Sequence, residues 1–138
     1  MNEAHVAQIA ALEQQIFSDA WSEKSIASEL SNELSLWLVA LDEDTVAGYI
    51  GSQTVLGEAD MLNLAVAPEY RRRGVGRELV QELISRLDAH CLTLEVRVSN
   101  ENARRLYESM GFIQVGLRRN YYEKPREDAM ILRKEWKV

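Results

Sequence analysis

The stretch RRRGVGR, residues 71–77, crowds four arginines and two glycines into one turn of an otherwise acidic chain. It lies between an apolar run that reads as a strand and a run of helical spacing. A helix N-terminus presents N–H groups without partners and a partial positive charge, and glycine keeps side chains away from them. The chemistry this suits is phosphate binding; the alternative is a basic, solvated helix cap. The turn lacks the Gly-x-Gly-x-x-Gly of dinucleotide folds and the Gly-Lys-Ser/Thr of P-loops, so the turn alone does not choose between them. A second residue stands out in CLTLEVRV, residues 91–98, where Glu95 interrupts a strand dominated by apolar side chains. Burying a carboxylate there is costly unless it is partnered or functional.

The elements that must position these residues follow from periodicity. Val6, Ile9, Ala10, Leu12, Ile16 and Phe17 recur at near-helical spacing over residues 4–17. A short helix is expected after Ser22, a good N-cap, with Ile26 and Leu30 turned inward. Residues 36–41 and 45–53 read as a strand hairpin across the acidic turn, and residues 59–67 as a third strand closed by Pro68. From 74 to 90, Val75, Leu79, Val80, Leu83, Ile84 and Leu87 form the strongest helical stripe, with His90 at its C-terminal end. A strand over 91–98, a helix from Ser99 or Asn100 to a stop at Gly111, and strands over 112–117 and 129–136 complete the order. Hairpins followed by a strand–helix–strand crossover predict an α/β domain with a mixed, mostly antiparallel sheet.

The bulk properties narrow the class of function. With 138 residues, 46% hydrophobic and 28% charged, the chain fits one domain spanning 1–138 with a single core. No apolar run is long enough to span a bilayer, and the N-terminus lacks the pattern of a signal peptide. One cysteine, Cys91, excludes an internal disulfide and fits a reducing cytoplasm; it reads as a small core residue. Two histidines and one cysteine, with His5 far from the adjacent His90 and Cys91, have no zinc-site spacing, so no metal is expected. A net charge of −6 argues against direct nucleic-acid binding and suits a positively charged partner.

The sentence NLAVAPEYRRRGVGRELV resembles the acetyl-CoA signature of the GNAT superfamily of N-acetyltransferases, and LEVRVSNENARRLYESMGF resembles its second signature. WSEKS, LYESMGF and RRNYY…REDAMIL are similar to the bacterial RimI family, which acetylates the N-terminal alanine of a small-subunit ribosomal protein. The resemblance covers about residues 21–132. It implies a GNAT fold, with the superfamily's first strand absent or vestigial because the first helix starts almost at Met1. It implies acetyl-CoA as co-substrate, with pyrophosphate on the N–H groups of Arg72, Arg73, Gly74, Val75, Gly76 and Arg77. It further places the pantetheine arm along Leu64, Ala65 and Val66, and a cofactor contact at Asn100, whose other role is helix capping. Glu95 takes the position of the general base and Tyr107 that of the general acid, although Tyr107 also suits a core aromatic. Trp21, Asn120, Tyr121 and Tyr122 match segments on the peptide side of the cleft, the last three expected in a loop. The expected acceptor is a basic protein N-terminus, that of a ribosomal protein, met by a cytoplasmic monomer or weak dimer. A lysine or small-amine acetyltransferase, or a silent acyl-CoA-binding module, are the competing functions. A pure binder needs neither Glu95 nor Tyr107.

Overall fold

The computed structural model describes residues 1–123 and 125–136. Helix α1 (Glu3–Ile16) is capped by Asn2, whose side chain accepts from Ala4 N–H while His5 accepts from Asn2 N–H. Ser22 caps the short α2 (Glu23–Ser28) by accepting from Ser25 N–H at 3.1 Å. A 3₁₀ turn, Glu29–Ser31, leads into β1 (Ser35–Asp42), β2 (Thr45–Val55) and β3 (Glu58–Val66). A second 3₁₀ turn, Pro68–Tyr70, precedes α3 (Val75–Arg86); β4 (Cys91–Arg97), α4 (Glu101–Ser109), β5 (Ile113–Glu123) and β6 (Arg126–Glu135) follow. No strand precedes α1 among the described residues, and β1 forms one edge of the sheet. None of the described helices is long and apolar enough to cross a membrane.

The six strands run in the order β1-β2-β3-β4-β6-β5, antiparallel except between β3 and β4. Strand β2 is buried from Val46 to Ser52 because both sheet faces are covered, which explains its lack of polar alternation. On one face, Ile50, Leu92 and Leu94 pack with Leu79, Val80 and Leu83 of α3, with Tyr107 of α4 and with Met110, the residue that caps α4. On the other, Trp37, Tyr49 and Ala65 pack with Val6 and Ile9 of α1 and Ile26 of α2. Gly51 belongs to this second face, since a Cβ there would lie 2.5 Å from the Trp37 ring.

Two boundaries differ from the sequence reading. Helix α3 stops at Arg86 rather than continuing to His90. His90 instead donates its N–H to Gly57 O and accepts from Trp136 N–H, so the chain leaves the helix to join two strand ends. The last hairpin is also longer than its apolar residues indicate. Strand β5 reaches Glu123 and β6 begins at Arg126, which puts Asn120, Tyr121 and Tyr122 in a bulged strand rather than a loop. Asn120 takes a left-handed φ of 53°, and its N–H is held by Asp128 Oδ1 at 2.8 Å.

Candidate active site

The site begins where two strands part. Strands β3 and β4 pair only from Glu58–Cys91 to Asp60–Thr93. Beyond that point β3 keeps its pairing with β2 to Val66, and β4 keeps its pairing with β6 to Arg97, so the two diverge. A groove of about 1480 Å³ occupies the opening. On the β3 side, Ala67 N–H bonds Ala47 O of β2 at 2.8 Å. Successive strand residues present their N–H groups to opposite sides, so the Val66 N–H is aimed into the groove. The Leu64 N–H on that side is held by Asn63 Oδ1 at 3.1 Å.

The glycine turn closes one end of the groove. Arg72 and Gly74 have left-handed φ values of 64° and 79°, a backbone form that gathers N–H groups into a concavity. The first main-chain bond of α3 runs from Glu78 N–H to Gly74 O at 3.0 Å, and Gly74 offers no side-chain cap. Among the described residues the N–H groups of Val75, Gly76 and Arg77 bond no protein acceptor. A Cβ at Gly76 would meet Leu106 at 3.6 Å and Val66 at 3.8 Å, both ordinary contacts, so packing does not require glycine there. Its value is the open approach to the helix N-terminus. Arg72 and Arg77 line the groove, whereas Arg73 lays its guanidinium over the Tyr70 ring, 5.4 Å from its centroid, and lies outside the lining.

Glu95 and Tyr107 face this groove from β4 and α4. The sequence suggested a buried Glu95; the structure places it, with Thr93 and Arg97, on the half-exposed face of β4. Its Oε1 pairs with Arg118 Nε at 3.0 Å, and the Glu95 carboxylate pushes the Tyr121 hydroxyl above its ordinary value. Tyr107 is 6% exposed, its ring packed edge-on to Phe112. Among the described residues its hydroxyl reaches only a weak acceptor, Met61 Sδ, at 3.8 Å. Burial, with a smaller contribution from Tyr122, pushes this phenol above its ordinary value, so it carries its proton at neutral pH. Tyr107 is thus both a core aromatic and a groove hydroxyl. Asn100 also lines the groove while capping α4, accepting from Ala103 N–H at 3.2 Å.

Phe17, Asp19, Trp21, Tyr121 and Tyr122 also line the groove. Trp21 meets Trp37 edge-on at 5.5 Å, and Arg97 stacks on Tyr122 at 4.1 Å from its centroid. Burial, then the Glu95 carboxylate, pushes the Tyr122 hydroxyl up to about 12. Asn120 lies outside the groove lining, because its backbone is turned away by the bulge and fixed to Asp128. Sequence reasoning missed three groups: Asp60 and Arg118, which flank Glu95, and Glu13. Asp60 is held above the usual carboxylate range by desolvation and then by Glu95 and Glu58. For Glu13 there was a signal, since it continues the inward stripe of Val6 and Ile9 where an apolar residue is expected.

A family model described as the acetyltransferase (GNAT) family matches residues 6–112, and the chain belongs to that family. It is 42% identical over 126 residues to the [ribosomal protein bS18]-alanine N-acetyltransferase of Escherichia coli strain K12, covering 88% of this chain and 84% of that one. It is 34% identical over 141 residues to the N-alpha-acetyltransferase RimI of Mycobacterium tuberculosis, covering 98% of this chain and 89% of that one. The crystal structure of the ribosomal-protein-S18-alanine N-acetyltransferase from Escherichia coli superposes with a TM-score of 0.91 at 37% identity, over 100% of this chain and 92% of that one. The NatC complex bound to Gag peptide and CoA superposes with a TM-score of 0.82 at 26% identity, over 99% of this chain and 93% of the matched chain.

Proposed function

We propose that this chain is an acetyl-CoA-dependent Nα-acetyltransferase that modifies the N-terminal alanine of ribosomal protein bS18. It acts as one domain spanning residues 1–138, in the cytoplasm, as a monomer or weak dimer. The observation that carries the reading is the parting of β3 and β4, which opens a groove lined by the glycine turn, by the unpaired edge of β3 and by aromatic and acidic side chains. The named relatives supply the acceptor.

In this reading the N–H groups of Arg72, Arg73, Gly74, Val75, Gly76 and Arg77 hold the pyrophosphate, and Asn100 adds a contact beside it. Leu64, Ala65 and Val66 receive the pantetheine arm as an added strand. The Val66 N–H is the donor for the acetyl oxygen, and its pull grows as that oxygen becomes anionic. Glu95, through a water, takes the proton that the α-amine gives up as its nitrogen bonds the acetyl carbon. Tyr107 gives its proton to the sulfur as the carbon–sulfur bond breaks. Trp21, Tyr121 and Tyr122 wall the acceptor; Asn120 contributes through its backbone, by shaping the bulge that carries the two tyrosines.

The cofactor assignment is tested by heat. Acetyl-CoA at 100 times its Kd is expected to add about 2.7 kcal/mol, which for a domain of this size is a Tm rise of roughly 10 °C. Gly76→Glu has room to fold, yet it sets a carboxylate against the phosphates and is expected to abolish the rise. A full thermal shift in that variant would remove the turn from the binding site.

The acceptor assignment is tested with peptides followed by mass. Asp19, Asp60 and Glu95 line the groove, so a peptide beginning with Ala and carrying Arg in the next positions is expected to react about tenfold faster than one carrying Glu. The ratio should shrink as salt is raised, because the Debye length is about 10 Å at 0.1 M. Faster acetylation of an internal lysine or of a small polyamine would replace this acceptor.

A further inference from the structure

Glu13 has no part in the chemistry set out above, yet it is among the most completely buried side chains in the protein, 1% exposed. Three groups from separate segments converge on its carboxylate. Oε1 accepts from Trp21 N–H at 3.0 Å. Oε2 accepts from Asn63 Nδ2 at 2.5 Å and from the Tyr49 hydroxyl. Trp21 lies in the loop between α1 and α2, Tyr49 in β2, and Asn63 in β3. Asn63 pairs with Gly51 and Met61 with Ser52, so Leu62 is the extra residue of a bulge beside it. Asn63 also holds the Leu64 N–H through its Oδ1. An apolar side chain would fill the same space without the cost of burying an acid. The Trp21 N–H and the Asn63 amide can only donate at these contacts, so the pocket is built around an acceptor of several bonds.

We infer that Glu13 is a positioning residue for the acceptor: its carboxylate clamps the loop carrying Phe17, Asp19 and Trp21 to the bulged segment of β3. The loop lines the acceptor end of the groove, and the residues that follow the bulge lead to the Val66 N–H. One carboxylate therefore sets the distance between the wall that receives the incoming amine and the strand that presents the acyl group. This rests on the function proposed above, but it concerns loop geometry rather than the identity of the acceptor.

The test is Glu13→Gln in the full chain, assayed with acetyl-CoA and an alanine-initiated peptide. Glutamine keeps the size and one accepting oxygen, and replaces the other with a donor that faces the Asn63 amide. The acceptor KM is expected to rise at least tenfold, while the acetyl-CoA KM and thermal shift stay within twofold of the unaltered protein. The Trp21 amide is expected to exchange with deuterium at least tenfold faster. Tyr49→Phe keeps the ring in the core and removes one donor; it is expected to raise the acceptor KM about threefold, and it decides the matter if the glutamine variant does not fold. An unchanged acceptor KM in a folded variant, or equal rises in both KM values, overturns the inference. Failure of the unaltered protein to acetylate the alanine peptide would instead overturn the proposed acceptor. The Trp21 exchange then still decides this inference, because it needs no acceptor.

Discussion

Tyr107→Phe is expected to lower kcat by about 10²–10⁴-fold while leaving the acetyl-CoA thermal shift intact. The ring stays in place: it is packed edge-on to Phe112, and among the described residues its hydroxyl has only Met61 sulfur as a partner. Removing the oxygen therefore breaks no strong bond in the free protein, and the Tm should hardly move. In the proposed mechanism, what is lost is the proton for the departing sulfur. Burial holds the phenol above its ordinary value, so it is fully protonated across the neutral range and the loss should not depend on pH there. Single-turnover mixing of the variant with acetyl-CoA and peptide reads the step directly. A turnover within threefold of the unaltered protein would return Tyr107 to a packing role alone.

Glu95→Gln is expected to cost a similar 10²–10⁴-fold at pH 7, with a different signature. An α-amine has a pKa near 8, so about a tenth of it is free at pH 7 and about nine-tenths at pH 9. Raising the pH supplies the free nucleophile that Glu95 would otherwise generate, and the deficit should shrink across that interval. Tyr107→Phe should show no such relief. The ion pair lost with Glu95 is a modest loss to the fold, because Arg118 and Glu95 keep side-chain exposures of 57% and 25% and pairs this open contribute about 1 kcal/mol or less. Acetyl-CoA binding should be unaffected in both variants. A pH–rate profile for Glu95→Gln parallel to that of the unaltered protein would take the base role away from Glu95.

The order of helices and strands was legible in the residues because it rests on local physics. The stripe from Val75 to Ile84, the caps at Ser22 and Asn100, and the breaks at Gly57 and Gly111 act within one or two turns of chain. The glycine turn was legible for the same reason: Gly74 takes a left-handed φ that its own sequence position favours. Where local signals were silent the reading fell short. Arg118 to Glu123 carry no alternating apolar residues, so nothing in that stretch indicated that β5 continues through a bulge to shape the groove wall. His90 lies outside the helix its periodicity suggested because its N–H is taken by the carbonyl of Gly57, far away in the chain.

The order of the elements, the position of the glycine turn and the two candidate proton carriers, Glu95 and Tyr107, could thus be read from the chain alone. How these groups meet depends on contacts between distant segments. The parting of β3 from β4 after three paired residues is a property of the whole sheet: β2 holds one strand and β6 the other along separate courses. The environment of each polar group was likewise fixed by distant chain. Glu95 is met by Arg118 from β5, and Tyr107 is buried against Phe112 and Met61. Glu13 is ringed by donors 8, 36 and 50 residues away. Periodicity assigns a residue to a face, but the free energy of an ionisable group depends on burial and on partners that only the folded chain brings within hydrogen-bond distance.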